Sequence, residues 1–149
     1  MRLFAVLRGD LLMSEGKANA QAGHAYVDAL LHALDHPNNV IRERAQAYAG
    51  LRPGTKICLD GGSMADFDRL LAELDARGIP HVLIHDQDHV ELPDFDGSRI
   101  VTAIGIGPIS RDARPRSLKR LPMWTGGKRT RLLVDQKTPH PQKEICHAE

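Results

Sequence analysis

The organisation of this chain is decided by residues 16–25, GKANAQAGHA, which open its longest helical pattern. Four polar side chains share one face of that helix, because positions 17, 21, 24 and 28 fall within an arc of roughly 60°. They are Lys17, Gln21, His24 and Asp28. Lys17 stands in the first turn, where the helix dipole disfavours a cation, so we expect an anion beside it. The alternative interpretation is an ordinary solvated polar stripe.

Composition indicates one soluble domain. A chain of 149 residues, 42% hydrophobic and 26% charged, is long enough to bury a core. No apolar run approaches the ~18 residues of a membrane span, and residues 3–7 are too short for a signal peptide. Cys58 in a predicted buried strand and Cys146 near the C-terminus form a poor disulfide pair. We therefore expect reduced thiols and a cytoplasmic protein.

Charge is distributed unevenly along the chain. Residues 1–110 carry a net charge of −5, whereas residues 111–149 carry +6, which together give the overall charge of +1. An acidic body followed by a basic segment is typical of chains that bind nucleic acid. A segment that serves only solubility is the alternative.

Apolar strands and amphipathic helices predict the order β-α-α-β-α-β-β. Strands are expected at residues 3–7, 56–60, 81–85 and 99–104. Helices are expected from a Ser14 cap to about Leu34, from 40 to 49, and from a Ser63–Asp66 capping box to Gly78. The last two strands, joined without a helix, should be antiparallel. The predicted fold is a three-layer α/β/α sandwich with a mixed four-stranded sheet, and residues 132–134 are interpreted as a short edge strand.

Several stretches together carry a family resemblance. They are residues 6–11 (VLRGDL), Met13, residues 16–25, residues 83–86 (LIHD) and residues 101–108 (VTAIGIGP). Over about residues 2–121 the sequence resembles the peptidyl-tRNA hydrolases of the second, archaeal and eukaryotic, type. The resemblance implies a domain over residues 1–121, often a homodimer, that cleaves the ester between a nascent peptide and tRNA. Residues 122–149 would be a basic C-terminal extension, and no cofactor or metal is expected.

The resemblance also implies an active site. Positions that match the family's active site are occupied by Lys17, Gln21, His24 and Asp86. Asp86 would act as the base, alone or through His24, while Lys17 stabilises the oxyanion or holds phosphates. Gln21 would orient water or the ester carbonyl. A structural histidine at position 24 and a turn cap at position 86 remain the alternatives.

The loop after Asp86 departs from the family pattern. Val90 stands where the family has a threonine implicated in catalysis, and Asp88 replaces a glycine. This departure keeps a second hypothesis open, namely a tRNA- or protein-binding module that kept the fold and lost the reaction. A third hypothesis is a metal-binding protein that uses His81, His85 and His89, although Leu83 lies between the first two on their strand face.

Substrate binding is assigned to charged residues along the chain. They are Arg8, Asp10, Lys119, Arg120, Lys128, Arg129 and Arg131. Asp10 also matches an acidic family position, and an aspartate there can simply close a turn. Trp124 lies among the cations, where it would either stack on an unpaired tRNA base or dock on the body.

Overall fold

Helices cover both faces of a four-stranded sheet in this computed structural model, which describes residues 1–137. The strands are β1 (Arg2–Leu7), β2 (Lys56–Asp60), β3 (His81–Asp86), β4 (Val90–Glu91), β5 (Phe95–Asp96) and β6 (Ile100–Ile109). The helices are α1 (Glu15–Leu34), α2 (Asn39–Ala49), α3 (Met64–Ala76), α4 (Arg116–Arg120) and α5 (Gly127–Lys137). Cys146 lies outside the described residues. No helix within residues 1–137 is long and apolar enough to cross a membrane.

The main sheet has the strand order β2-β1-β6-β3. β1 and β2 are parallel, and β6 runs antiparallel to both β1 and β3. The carboxyl ends of β1, β2 and β3 therefore meet at one edge of the sheet. One row of paired residues crosses that edge: Asp60, Leu7, Ala103 and Ile84. The predicted mixed sheet and the antiparallel pairing of its last two strands are confirmed.

Each face of the sheet packs against a different set of helices. On one face Phe4, Val6 and Ile104 contact the apolar side of α3 and α4. The other face carries small residues and packs against the alanines of α1 and against α2. Gly105 allows this close approach, because an added Cβ would lie 2.1 Å from the carbonyl oxygen of Ala25. The predicted three-layer sandwich is confirmed.

Side-chain caps fix where the helices begin. Ser14 Oγ accepts a hydrogen bond from the Lys17 backbone N–H at 3.3 Å, which starts α1 at its predicted place. Ser63 and Asp66 form the predicted capping box of α3. Each such cap satisfies a backbone donor that has no partner inside the helix.

Two predictions about the later elements are wrong. Residues 132–134 lie within α5 and form no edge strand. The outer edge of β2 is already occupied, since Asp60 N–H donates to the Pro122 carbonyl and Trp124 N–H to the Cys58 carbonyl, each at 3.0 Å. The last strand continues to Ile109 instead of ending at Ile104, because it pairs with β1 and β3 along its length.

Glu73 joins α3 to the beginning of α4. Its carboxylate accepts hydrogen bonds from Arg116 N–H at 2.8 Å, from Ser117 N–H at 3.0 Å and from the Ser117 hydroxyl. These bonds, the Ser117 hydroxyl foremost, lower the pKa of Glu73. A lowered pKa gives stability that is present above the unfolded pKa of about 4.3 and is lost as the pH falls through the folded value.

Glu73→Gln is therefore expected to lower the free energy of unfolding by about 1 kcal/mol at pH 7. The difference from wild type should shrink in acid, where the wild-type carboxyl is protonated as well. Urea unfolding at pH 7 and at pH 3 measures this, with the exposed Asp68→Asn on the same helix as control. A loss that is equally large at both pH values would contradict the capping role.

Candidate active site

A buried ion pair lies at the edge of the sheet where β3 ends. Lys17, in the first turn of α1, places its Nζ 2.7 Å from Oδ2 of Asp86, the last residue of β3. Gln21, one turn further along α1, donates from Nε2 to Asp86 Oδ1 at 3.3 Å. The structure thus brings together three of the four predicted active-site residues, from positions up to 69 residues apart.

Lys17 is buried more deeply than a surface lysine. Its side chain is only 6% exposed and that of Asp86 17%. The Lys17 Nζ also lies 3.9 Å from the centre of the Phe95 ring, a cation–π contact. The anion expected beside Lys17 is therefore the Asp86 carboxylate of the same chain, and solvent reaches the pair mainly from the Asp86 side.

Thr102 completes this network. Its hydroxyl, fully buried on β6, lies 2.6 Å from Gln21 Oε1 and donates to it. With its oxygen accepting this bond, the Gln21 amide is oriented so that its NH₂ points to Asp86. Thr102 is not among the residues that the sequence singled out. The sequence feature that could have identified Thr102 as a site residue is its lone hydroxyl within the apolar strand at residues 100–106.

Thr102→Val is expected to lower the kcat of a reaction at the Asp86 carboxylate about tenfold. It should also lower the free energy of unfolding by about 1–3 kcal/mol, because Gln21 Oε1 loses its buried donor. Thr102→Ser keeps a hydroxyl and should restore most of kcat. The measurement is kcat and urea unfolding for both variants. Equal kcat in wild type and Thr102→Val would show that Thr102 does not position Gln21.

The acidic loop between β3 and β6 is bound to the start of α1. Glu91 accepts a hydrogen bond from Ser14 N–H at 2.8 Å, and Asp94 accepts one from Leu12 N–H at 2.6 Å. Glu91 thus satisfies the backbone donor of the α1 N-cap, and Asp94 satisfies that of a residue two positions before the cap. These contacts hold the hairpin of β4 and β5, and with it Phe95, beside Lys17. The sequence shows five acidic residues in this loop, but no local pattern joins them to α1, since Ser14 lies 77 residues before Glu91.

Comparison with known proteins gives the family of this chain. The family model described as "Peptidyl-tRNA hydrolase PTH2" matches residues 1–123. The chain belongs to this family of peptidyl-tRNA hydrolases. The peptidyl-tRNA hydrolase of Methanococcus vannielii is 33% identical over 116 residues, which cover 78% of this chain and 92% of the relative. That of Methanopyrus kandleri is 32% identical over 122 residues, covering 79% and 93%. The resemblance inferred from the sequence is confirmed.

Other positions in this peptidyl-tRNA hydrolase family domain lie outside the network. His24 is on the exposed side of α1, as is Asp28, although both share an arc with Lys17. Val90 is 65% exposed on β4. Asp88 has a φ of 62°, a left-handed conformation that aspartate adopts more readily than most residues. The same conformation is favourable for the glycine that the family pattern has at this position.

Arg8 and Asp10 pair with each other at the end of β1. Arg8 Nε donates to Asp10 Oδ1 at 2.7 Å, and its NH2 to Oδ2 at 2.9 Å, a bidentate bond. Arg8 is 8% exposed and also donates to the Val101 carbonyl at 3.3 Å. The Arg8 guanidinium is thus largely committed to the fold, whereas the Asp10 side chain remains 40% exposed.

The predicted histidine cluster does not form. His81 Nδ1 lies 2.8 Å from the Ile79 carbonyl, and His89 faces Glu91, with 3.7 Å between Nε2 and Oε2. Within residues 1–137 no group of three His, Cys, Asp or Glu side chains is arranged to hold a metal. The metal-binding hypothesis is therefore not supported.

The predicted substrate-binding cations occupy two helices. Lys119 and Arg120 are exposed on α4, and Arg129 is exposed on α5. The other two bind the body: Lys128 Nζ lies 3.5 Å from Asp94 Oδ2, and Arg131 donates to the Gly9 carbonyl at 2.7 Å. Trp124 also docks on the body, since its partly buried ring packs against the cluster that includes Leu7 and Met13.

No thiol nucleophile stands in the described part of the site. Cys58 lies on β2 beside Tyr26, and burial raises the pKa of its thiol to about 11. A thiol with this pKa holds almost no thiolate near neutral pH. The carboxylate, ammonium and amide of the Asp86 network are therefore the groups that can act on a substrate, and they suit activation of water beside a carbonyl.

Proposed function

We propose that this chain hydrolyses the ester bond between a peptide, or an N-acyl-amino acid, and the 3′ ribose of tRNA, with water as the nucleophile. The observation that carries the proposal is the buried Lys17–Asp86 pair, with Gln21 bonded to the same carboxylate. Family membership supports it independently, because the matched region includes all three residues.

Each residue has a distinct role in the proposed reaction. Asp86 takes a proton from the attacking water, and the water oxygen bonds to the ester carbonyl carbon. Lys17, already held beside that carboxylate, stabilises the negative charge that develops on the carbonyl oxygen. Gln21 orients the water through its amide. When the bond to the ribose oxygen breaks, the proton held by Asp86 passes to that oxygen and free tRNA leaves.

His24 is assigned a smaller role at the entrance of the site, because it lies one turn beyond Gln21 on the exposed side of α1. We propose that it contacts the substrate or relays a proton when substrate is bound. Substitution of His24 should consequently reduce turnover less than substitution of Asp86.

Release of tRNA from peptidyl-tRNA by the purified full-length protein tests the function. We expect turnover in the presence of EDTA, since the proposed chemistry uses only protein groups and water. Stoichiometric zinc in the purified protein, with loss of activity on its removal, would contradict this chemistry. A rate at micromolar enzyme equal to that of buffer alone would instead favour a binding module that lost the reaction.

We propose that the charged side chains assigned to substrate binding contact the tRNA, the exposed Lys119, Arg120 and Arg129 most directly. Arg8 and Asp10 would line the path of the acceptor end, and the basic segment would contact phosphates through Lys119, Arg120, Lys128, Arg129 and Arg131. The net charge of −5 on residues 1–110 gives this segment an electrostatic purpose, since the body alone repels a polyanion. The proposed domain remains residues 1–121, with residues 122–149 as its extension.

We also propose a cytoplasmic homodimer, as in many members of the family. Within residues 1–137 the outer edge of β3 has no strand paired to it, and Leu83 on that strand is 39% exposed. An open strand edge with an apolar side chain favours self-association. Light scattering coupled to size-exclusion chromatography measures the oligomeric state.

A further inference from the structure

A groove of about 520 Å³ lies between α3 and α4, on the face of the sheet opposite α1. Arg69 lines it from α3, and Arg116 and Arg120 line it from α4. Arg116 and Arg120 are four residues apart, so they lie on the same side of their helix. Both are exposed, and neither has an ion-pair partner among the described residues.

The carboxylates in the groove are already bound by the protein. Asp66 accepts hydrogen bonds from Ser63 and pairs with Arg69, while Glu73 caps the start of α4. These bonds lower the pKa of both carboxyl groups, which therefore stay ionised and bonded where they are. The α4 side of the groove, in contrast, presents cations whose charge is not neutralised.

α4 is held firmly enough to present these arginines at fixed positions. Leu118, between them, is 1% exposed and belongs to the core under α3. Glu73 holds the first turn through the backbone of Arg116 and Ser117. Side chains on an anchored helix lose less entropy on binding than those on a free segment.

The groove opens onto the same edge of the sheet as the active site. Gly61, which follows β2, lines the groove, and Asp86 ends β3 at that edge. Three inter-strand spacings separate β2 from β3 in the order β2-β1-β6-β3, a distance of about 14 Å. A stacked nucleic-acid strand rises about 3.4 Å per nucleotide, so about four nucleotides cover it.

We infer that the α3–α4 groove binds the phosphate backbone of the tRNA acceptor stem, while the unpaired 3′ end passes over the sheet edge to Asp86. This inference rests on the proposed function. Arg116 and Arg120 each contact a phosphate of the stem. Arg69 releases Asp66 and binds a third phosphate. Recognition here is independent of base sequence, because guanidinium–phosphate pairing reads only the backbone.

The double variant Arg116→Gln and Arg120→Gln tests this binding surface. Its matched control removes the same charge far from the groove, through Arg44→Gln on α2 and Lys56→Gln at the amino end of β2. The measurement is the Kd of the full-length protein for deacylated tRNA over a range of salt concentrations. Thermal unfolding of both variants verifies that they are folded.

We expect the groove variant to bind tRNA about tenfold more weakly. Its log–log salt slope should be smaller by about 2, because each of the two substituted arginines no longer neutralises a phosphate. The control should match wild type. Equal affinity and slope in the groove variant, or an equally weakened control, overturns the inference. Equal affinity and slope in the groove variant would favour an acidic protein as the partner of the groove.

A short substrate separates this inference from the proposed function. Wild-type hydrolysis of a peptidyl ester of the trinucleotide CCA reports the chemistry alone, because the trinucleotide does not reach the groove. Cleavage of this ester, together with unchanged tRNA binding by the groove variant, refutes the groove and leaves the function standing. Weaker tRNA binding by the variant, with no release of tRNA from peptidyl-tRNA by wild type, supports the groove and refutes the function.

Discussion

Asp86→Asn is expected to lower kcat/KM for peptidyl-tRNA by about 10²–10⁴-fold, the usual contribution of a positioned general base. Asparagine has the shape of aspartate and still accepts the hydrogen bond from Gln21, but it does not take a proton from water. Steady-state release of tRNA measures the effect. The matched control is Asp88→Asn, two residues away, which is exposed and whose left-handed backbone asparagine also adopts.

The same substitution should also destabilise the protein, since it leaves the Lys17 ammonium buried without its counter-ion. Breaking a buried pair by removal of one partner typically costs about 3–5 kcal/mol. Urea unfolding of Asp86→Asn therefore accompanies the kinetics, and rates are compared where both proteins are folded. Full activity in a folded Asp86→Asn variant would show that the base lies elsewhere.

Lys17→Met is expected to lower kcat by about 10²–10³-fold, as removal of one oxyanion-stabilising group does. Methionine keeps the unbranched stem and a favourable contact with the Phe95 ring, but it removes the charge. KM should change less than kcat if Lys17 acts on the transition state, and more than kcat if it mainly holds tRNA phosphates. Lys56→Met, which removes an exposed cation at the amino end of β2, serves as the control.

Much of the fold followed from local patterns. The 3.6-residue period and the Ser14 cap located α1, and the Ser63–Asp66 capping box located α3. The first-turn position of Lys17 predicted a neighbouring anion, which the structure provides as the Asp86 carboxylate. The family resemblance placed Lys17 and Asp86 in the same site. No local sequence pattern predicts this contact, because the two residues are far apart in the chain.

Local patterns were insufficient where the position along an element, or a distant partner, decides the structure. His24 shares an arc with Lys17 but lies seven residues on, about 10 Å further along the axis, so it is outside the Asp86 network and its smaller role stays a prediction. Thr102 was missed because its partner is 81 residues away in sequence. The strand predicted at 132–134 lies within α5 instead, and residues 122–124 occupy the edge of β2.

In the proposed reaction Lys17 and Asp86 act as one unit on the ester. A double-mutant cycle distinguishes one unit from two independent groups, with kcat/KM for peptidyl-tRNA measured in wild type, Asp86→Asn, Lys17→Met and the double variant. We predict that the double variant is about as impaired as the more impaired single variant, because the two groups serve one step. Multiplied losses in the double variant, or near-wild-type turnover in either single variant, would refute this coupling.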